Sequence, residues 1–218
     1  MSKKVAVILA GCGVYDGSEI HEAVITLLSL DRAGAQVQCL APDVEQLHVV
    51  NHATGEVSEG QTRNVLEEAA RIARGNVQDV AEVSADDFDA LIIPGGFGAA
   101  KNLCDFAVKG AELTVNADVL SFARQFQSQG KPVGLMCIAP VISAAIFGSG
   151  VQCTIGEDAE TAAAVTQTGA EHMNCSVDDI VVDESRKLVT TPAYMLAESI
   201  AEAAAGIDKL VAKVLSLA

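Results

Sequence analysis

The chain has 218 residues, half of them hydrophobic, and a formal charge of −15 from 14 basic against 29 acidic side chains. Its length supports one sizeable core and its composition argues against disorder. The acidity argues against nucleic acid and anionic membranes as partners, since both would repel it. No apolar run approaches the roughly 18–20 residues that span a bilayer, and few aromatics are present to stack on bases.

Lys4 to Ala10 is a continuous apolar run, the pattern of a central parallel strand covered on both faces. Its apolar part is shorter than the core of a secretory signal, so the expected location is cytoplasmic. The six cysteines, Cys12, Cys39, Cys104, Cys137, Cys153 and Cys175, then read as reduced thiols. Gly11–Gly17 is a turn. The spacing predicts a helix over Ser18–Ala33 with Ile20, Val24, Leu27 and Leu28 on its inner face and Asp16 and Glu19 at capping-box spacing. Gln36–Ala41 completes a βαβ unit.

Asp43–Gly60 is irregular, with a short strand expected at Leu47–Val50. Further elements are a helix over Thr62–Arg74, a strand over Val77–Val83, a buried strand over Asp89–Ile93 ending in Pro94-Gly-Gly-Phe-Gly98, and a helix over Thr114–Gln129. Beyond the elbow described next come a strand at Val151–Ile155, a helix at Asp158–Gln167, a hairpin of Ile180–Asp183 with Leu188–Thr191, and a long helix from Ala193 to Leu217. This alternation predicts one three-layer α/β/α sandwich over residues 1–218, with a mostly parallel sheet and the site at the strand C-termini.

Val133, Leu135 and Met136 form a short apolar run that stops at Cys137, and Pro140 suits the first turn of a helix. Cys137 is therefore expected at a sharp strand-to-helix turn beneath a positive helix end, which lowers a thiol pKa. Gly95, Gly96 and Gly98 form a turn that can also serve as an oxyanion nest. Cys12, Tyr15 and Asp16, in the first site loop, and Thr191, at the end of its strand, are expected to line the pocket. His48 and His52 read as strand and turn residues rather than metal ligands, so no metal site is expected. His172 reads as a surface residue and His21 as a possible proton carrier.

Three segments, Gly11–Glu22, Ile93–Leu103 and Gly134–Pro140, together resemble the ElbB (enhancing lycopene biosynthesis) family. That family is a PfpI-like branch of the class I glutamine amidotransferase-like superfamily. The resemblance implies a flavodoxin-like sandwich, a homodimer, and a reactive cysteine at Cys137. It also implies a neighbouring carboxylate from the first helix, matched to Glu22 with Glu19 as rival, and backbone N–H groups of Gly96 and Ile138 facing the sulfur. Relatives are described as cofactor-free glyoxalases that turn glyoxal or methylglyoxal into glycolate or lactate, an activity also interpreted as protein deglycation. The pattern departs in one place. Ile138 follows the cysteine where many relatives carry histidine, and no histidine appears after the cysteine until His172, which counts against ordinary amide hydrolysis. Two readings follow. In the first, Cys137 attacks a small α-oxoaldehyde and Glu22 moves the proton. In the second, the protein is a non-catalytic redox or partner-binding protein linked to isoprenoid metabolism, with Cys137 oxidised to a sulfinate beside Glu22.

Overall fold

Val5 to Ile8 are all buried, because the strand they form lies inside the sheet with helices over both faces. A computed structural model describes residues 2–218. In chain order its regular elements begin with β1 (Lys4–Ile8), α1 (Ile20–Arg32), β2 (Gln36–Ala41), β3 (Val50–Asn51), β4 (Glu56–Val57), α2 (Val65–Ala73) and β5 (Val77–Asp79). Then come β6 (Ala90–Ile93), α3 (Phe97–Lys101), α4 (Phe106–Lys109), α5 (Ala117–Ser128), β7 (Val133–Met136) and α6 (Ser143–Phe147). The chain ends with β8 (Gln152–Cys153), α7 (Ala159–Gln167), β9 (Glu171–His172), β10 (Val181–Asp183), β11 (Leu188–Thr191) and α8 (Ile200–Leu217).

The main sheet has the order β10-β11-β7-β6-β1-β2-β5, parallel throughout except for the β10–β11 hairpin. Helices α1, α2 and α8 bury their apolar residues against one face, and α5, α6 and α7 theirs against the other. This is the expected flavodoxin-like sandwich. Gly134 in β7 lets α8 approach closely, since a Cβ there would lie 2.8 Å from Leu210 Cδ2 and 3.1 Å from Val214 Cγ2.

The sequence reading of α1 is corrected in two respects. Its cap is Glu19, whose Oε2 accepts the Glu22 N–H at 2.7 Å. Asp16 instead lies in the interior and accepts the Val50 N–H at 2.7 Å. The row Ile20, Val24, Leu28, expected to face inward, is 42%, 48% and 43% exposed, while Glu22, Ala23, Ile25, Thr26 and Leu30 are buried. Two rows at helical spacing compete here, and the inward one lies against α8 and carries the carboxyl toward its hydrogen-bond donors.

Other boundaries also move. Ala193–Met195 is an isolated 3₁₀ turn, and α8 begins only after Ser199, whose hydroxyl accepts the Glu202 N–H. The expected strand at Val77–Val83 becomes β5 followed by a 3₁₀ turn at Val80–Glu82. Helices α3 and α4 and strand β9 are too short for periodicity to reveal.

Candidate active site

Strands β6, β7 and β11 lie side by side, so the loops leaving their C-termini meet above the sheet. Cys137 is the first residue past β7 and has φ 60°, a left-handed conformation that non-glycine residues avoid. Its N–H donates to Thr191 O at 3.1 Å, which fixes it against β11, and Pro140 lies in the 3₁₀ turn that follows. Gly95, past β6, faces it without room for a side chain. A Cβ at Gly95 would lie 2.5 Å from Cys137 Cβ and 2.9 Å from both the sulfur and Glu22 Oε2.

Glu22 is completely buried. Its Oε2 accepts the Gly95 N–H at 2.9 Å, and its Oε1 accepts the Tyr194 N–H at 3.1 Å. The second donor depends on a strained turn, because the buried Ala193 just before it has φ 45°. The Cys137 sulfur and Glu22 Oε2 meet at Gly95, each 2.9 Å from where a Cβ on that glycine would stand, and the Gly96 and Ile138 amides lie beside the sulfur, where they favour its charged form.

Burial raises Glu22 from its ordinary 4.5 to about 7, opposed by the Tyr194 amide, the Cys137 thiol and the Gly95 amide. Burial, and then the Glu22 charge, push the Cys137 thiol well above its usual range, and the Gly96 and Ile138 amides offset this only in part. The lowered thiol pKa expected from the elbow is therefore corrected. In this enclosed place desolvation and a neighbouring anion outweigh the amides. Near neutral pH the thiol therefore keeps its proton, while Glu22 passes between carboxylic acid and carboxylate.

A cavity of about 450 Å³ opens on the sulfur. Gly96, Cys137 and Ile138 are joined there by Glu19, Thr161 and Tyr194, and the remaining wall is apolar. The loop residues expected to line it do not. Cys12 lies close to Glu68 and Arg71, and burial raises its pKa. Tyr15 stacks on His52 with ring centroids 5.0 Å apart. Asp16 is turned inward as described, and Thr191 donates its hydroxyl to Asp179 O at 2.7 Å. Tyr15, Asp16 and Thr191 are each held by a local partner that sequence does not display. His172 Nε2 accepts the Ile155 N–H, while His21 Nδ1 lies 2.8 Å from the Tyr194 hydroxyl. Tyr194 is the site residue that the sequence reading missed.

A family model described as DJ-1/PfpI matches residues 3–203. The chain belongs to the DJ-1/PfpI family. Among its relatives is the human "Glutamine amidotransferase-like class 1 domain-containing protein 3, mitochondrial", 49% identical over 98% of this chain and 83% of that protein. The rat "ES1 protein homolog, mitochondrial" is 48% identical over 98% of this chain and 84% of that protein. A crystal structure from Ehrlichia chaffeensis, described as an isoprenoid biosynthesis protein with an amidotransferase-like domain, superposes with a TM-score of 0.93 at 36% identity, covering 99% of both chains.

Both curated relatives are named mitochondrial, which overturns the cytoplasmic location expected for this DJ-1/PfpI protein. The short apolar segment behind that expectation is strand β1. A strand in place of a secretory signal says nothing about an organelle.

Proposed function

We propose that this protein is a cofactor-free glyoxalase of the ElbB type within its family, converting glyoxal or methylglyoxal to glycolate or lactate. The observation that carries the reading is the buried pair Cys137 and Glu22, brought together at Gly95, with the Gly96 and Ile138 amides beside the sulfur. As Sγ bonds to the aldehyde carbon, its proton passes to Glu22, and the new oxyanion is received by the Gly96 and Ile138 amides. The oxyanion takes that proton to give a neutral hemithioacetal. Glu22, again a carboxylate, removes the hydrogen from the thiohemiacetal carbon, and the electron pair moves into an enediolate. The hydroxyl proton on the sulfur-bearing carbon passes to the oxygen of its neighbour, and Glu22 returns the carbon-bound proton to that neighbouring carbon, which leaves a 2-hydroxy thioester. Water cleaves the C–S bond and releases the 2-hydroxy acid and the free thiol. One carbon is oxidised and its neighbour reduced, so no outside electron carrier enters.

A carboxyl with a pKa of about 7 is matched to both proton transfers. The test is glycolate formation from glyoxal by wild type, Cys137→Ala and Glu22→Gln at several enzyme concentrations. Turnover well above simple thiol chemistry, lost by a factor of 10² or more in either variant, is expected. Turnover indifferent to Cys137 overturns the reading.

The sulfinate reading is favoured by one feature of the same site, a carboxyl able to hold a proton next to an oxidised sulfur. Intact mass after mild peroxide decides it. Modification confined to Cys137 and abolished by Cys137→Ala supports a sensor, and an unmodified thiol sets it aside. We also infer a homodimer from the family resemblance, which sedimentation of the purified chain checks directly.

A further inference from the structure

Glyoxal has four non-hydrogen atoms, and a cavity of about 450 Å³ has room for on the order of fifteen waters. The chamber's lining includes the apolar side chains of Val14, Phe97, Ala100, Phe106, Ala107 and Met195. Phe97 is half exposed, a large ring left facing open space. A small polar dicarbonyl reaches Cys137 without touching most of this surface.

The charges at the chamber point the same way. No lysine, arginine or histidine lines it. Lys101 sits over the Phe97 ring, 5.4 Å from its centroid, but its Nζ is committed to Tyr15 O at 2.9 Å. The acidic lining residue, Glu19, already has Oε2 on the Glu22 amide. An anionic substrate would meet this carboxylate, with Glu22 behind it; His21, 4.0 Å from Glu19 Oε1, stands outside the lining with its Nδ1 engaged by the Tyr194 hydroxyl. The apolar wall rewards a hydrocarbon group, and the absence of a cation speeds departure of the 2-hydroxycarboxylate product.

We propose that the site takes α-oxoaldehydes bearing an apolar substituent of roughly phenyl to hexyl size, in preference to glyoxal and to dicarbonyls carrying an anionic group. This rests on the glyoxalase reading above and adds the substrate class to it. The aldehyde carbon meets Cys137 as already described, and the substituent lies against Phe97, Phe106 and Met195. Each buried methylene is worth about fourfold in affinity, from roughly 0.8 kcal/mol per CH₂.

The test is kcat/KM across glyoxal, methylglyoxal, a linear alkylglyoxal series and phenylglyoxal. A rise of severalfold per added methylene and at least about tenfold for phenylglyoxal over methylglyoxal are expected. In Ala107→Trp, which fills the chamber, the phenylglyoxal-to-glyoxal ratio falls by about tenfold or more. A second readout needs no turnover: protection of Cys137 from iodoacetamide by acetophenone, with acetone and benzoate as comparisons. Acetophenone protecting at far lower concentration than either is the expected result. If no dicarbonyl is turned over, the glyoxalase reading fails, and the protection order alone decides the ligand class. A flat alkyl series, or benzoate protecting as well as acetophenone, overturns the proposal.

Discussion

Glu22 is an acid in the interior whose partners are two amides and a thiol. Its folded pKa, near 7, lies above the ordinary 4.5, so between those values the folded protein keeps a proton that the unfolded chain has released. Stability therefore falls as pH rises through that window, by up to about 3 kcal/mol. Glu22→Gln removes this slope but leaves one backbone N–H facing an amide nitrogen, at a cost of about 1 kcal/mol. The variant should be about 2 kcal/mol more stable than wild type at pH 8 and no more stable at pH 5, as read by denaturant unfolding at the two values. Catalysis runs the other way. Wild-type kcat/KM should climb with pH through about 7 as Glu22 becomes a base. Gly95→Ala brings a methyl group against Cys137 and Glu22, and should cost about 1–3 kcal/mol together with most of the turnover. Cys137 and the Pro94-Gly-Gly turn were legible because each is a local motif at the end of an apolar strand. Tyr194 was not, because it contributes through its amide, and an amide leaves no mark in the sequence.

At the scale of an element, α1 separates periodicity from burial. Ile20, Val24 and Leu28 satisfy a helical repeat and face outward, while Ala23, Ile25 and Leu30 face inward. Ile25→Ala should destabilise by about 2–4 kcal/mol, and Val24→Ala should stay within about 0.5 kcal/mol, both measured by urea unfolding. The reverse order would restore the face first expected. The parallel strands were legible because burial on both sides leaves unbroken apolar runs, as in Val5–Ile8 and Ala90–Ile93. Helices of four or five residues such as α3 and α4 make little more than one turn, so no repeat betrays them. The start of α8 was misplaced because Ala193-Tyr194-Met195 reads as good helix sequence, yet Ala193 takes a left-handed conformation.

Across the whole molecule, a formal charge of −15 sets the folded state against its own field. Raising sodium chloride from about 10 to 150 mM should therefore raise Tm, by screening repulsion between exposed carboxylates. A fall in Tm over that range would mean that the ion pairs at Glu68, Asp183 and Glu184 outweigh the net field. The site also ties distant parts of the chain together. Glu22 receives its second amide from a residue 172 positions further on, and Cys137 is anchored to Thr191. On the ribosome, the nucleophile and its base are made well before the segment that sets their geometry. Until β11 slides in beside β7, the nascent chain carries an ordinary cysteine and an ordinary glutamate. The pairing of nucleophile and base thus arrives as a late event of biogenesis, and a chain cut short before residue 188 would carry both groups without their shared site.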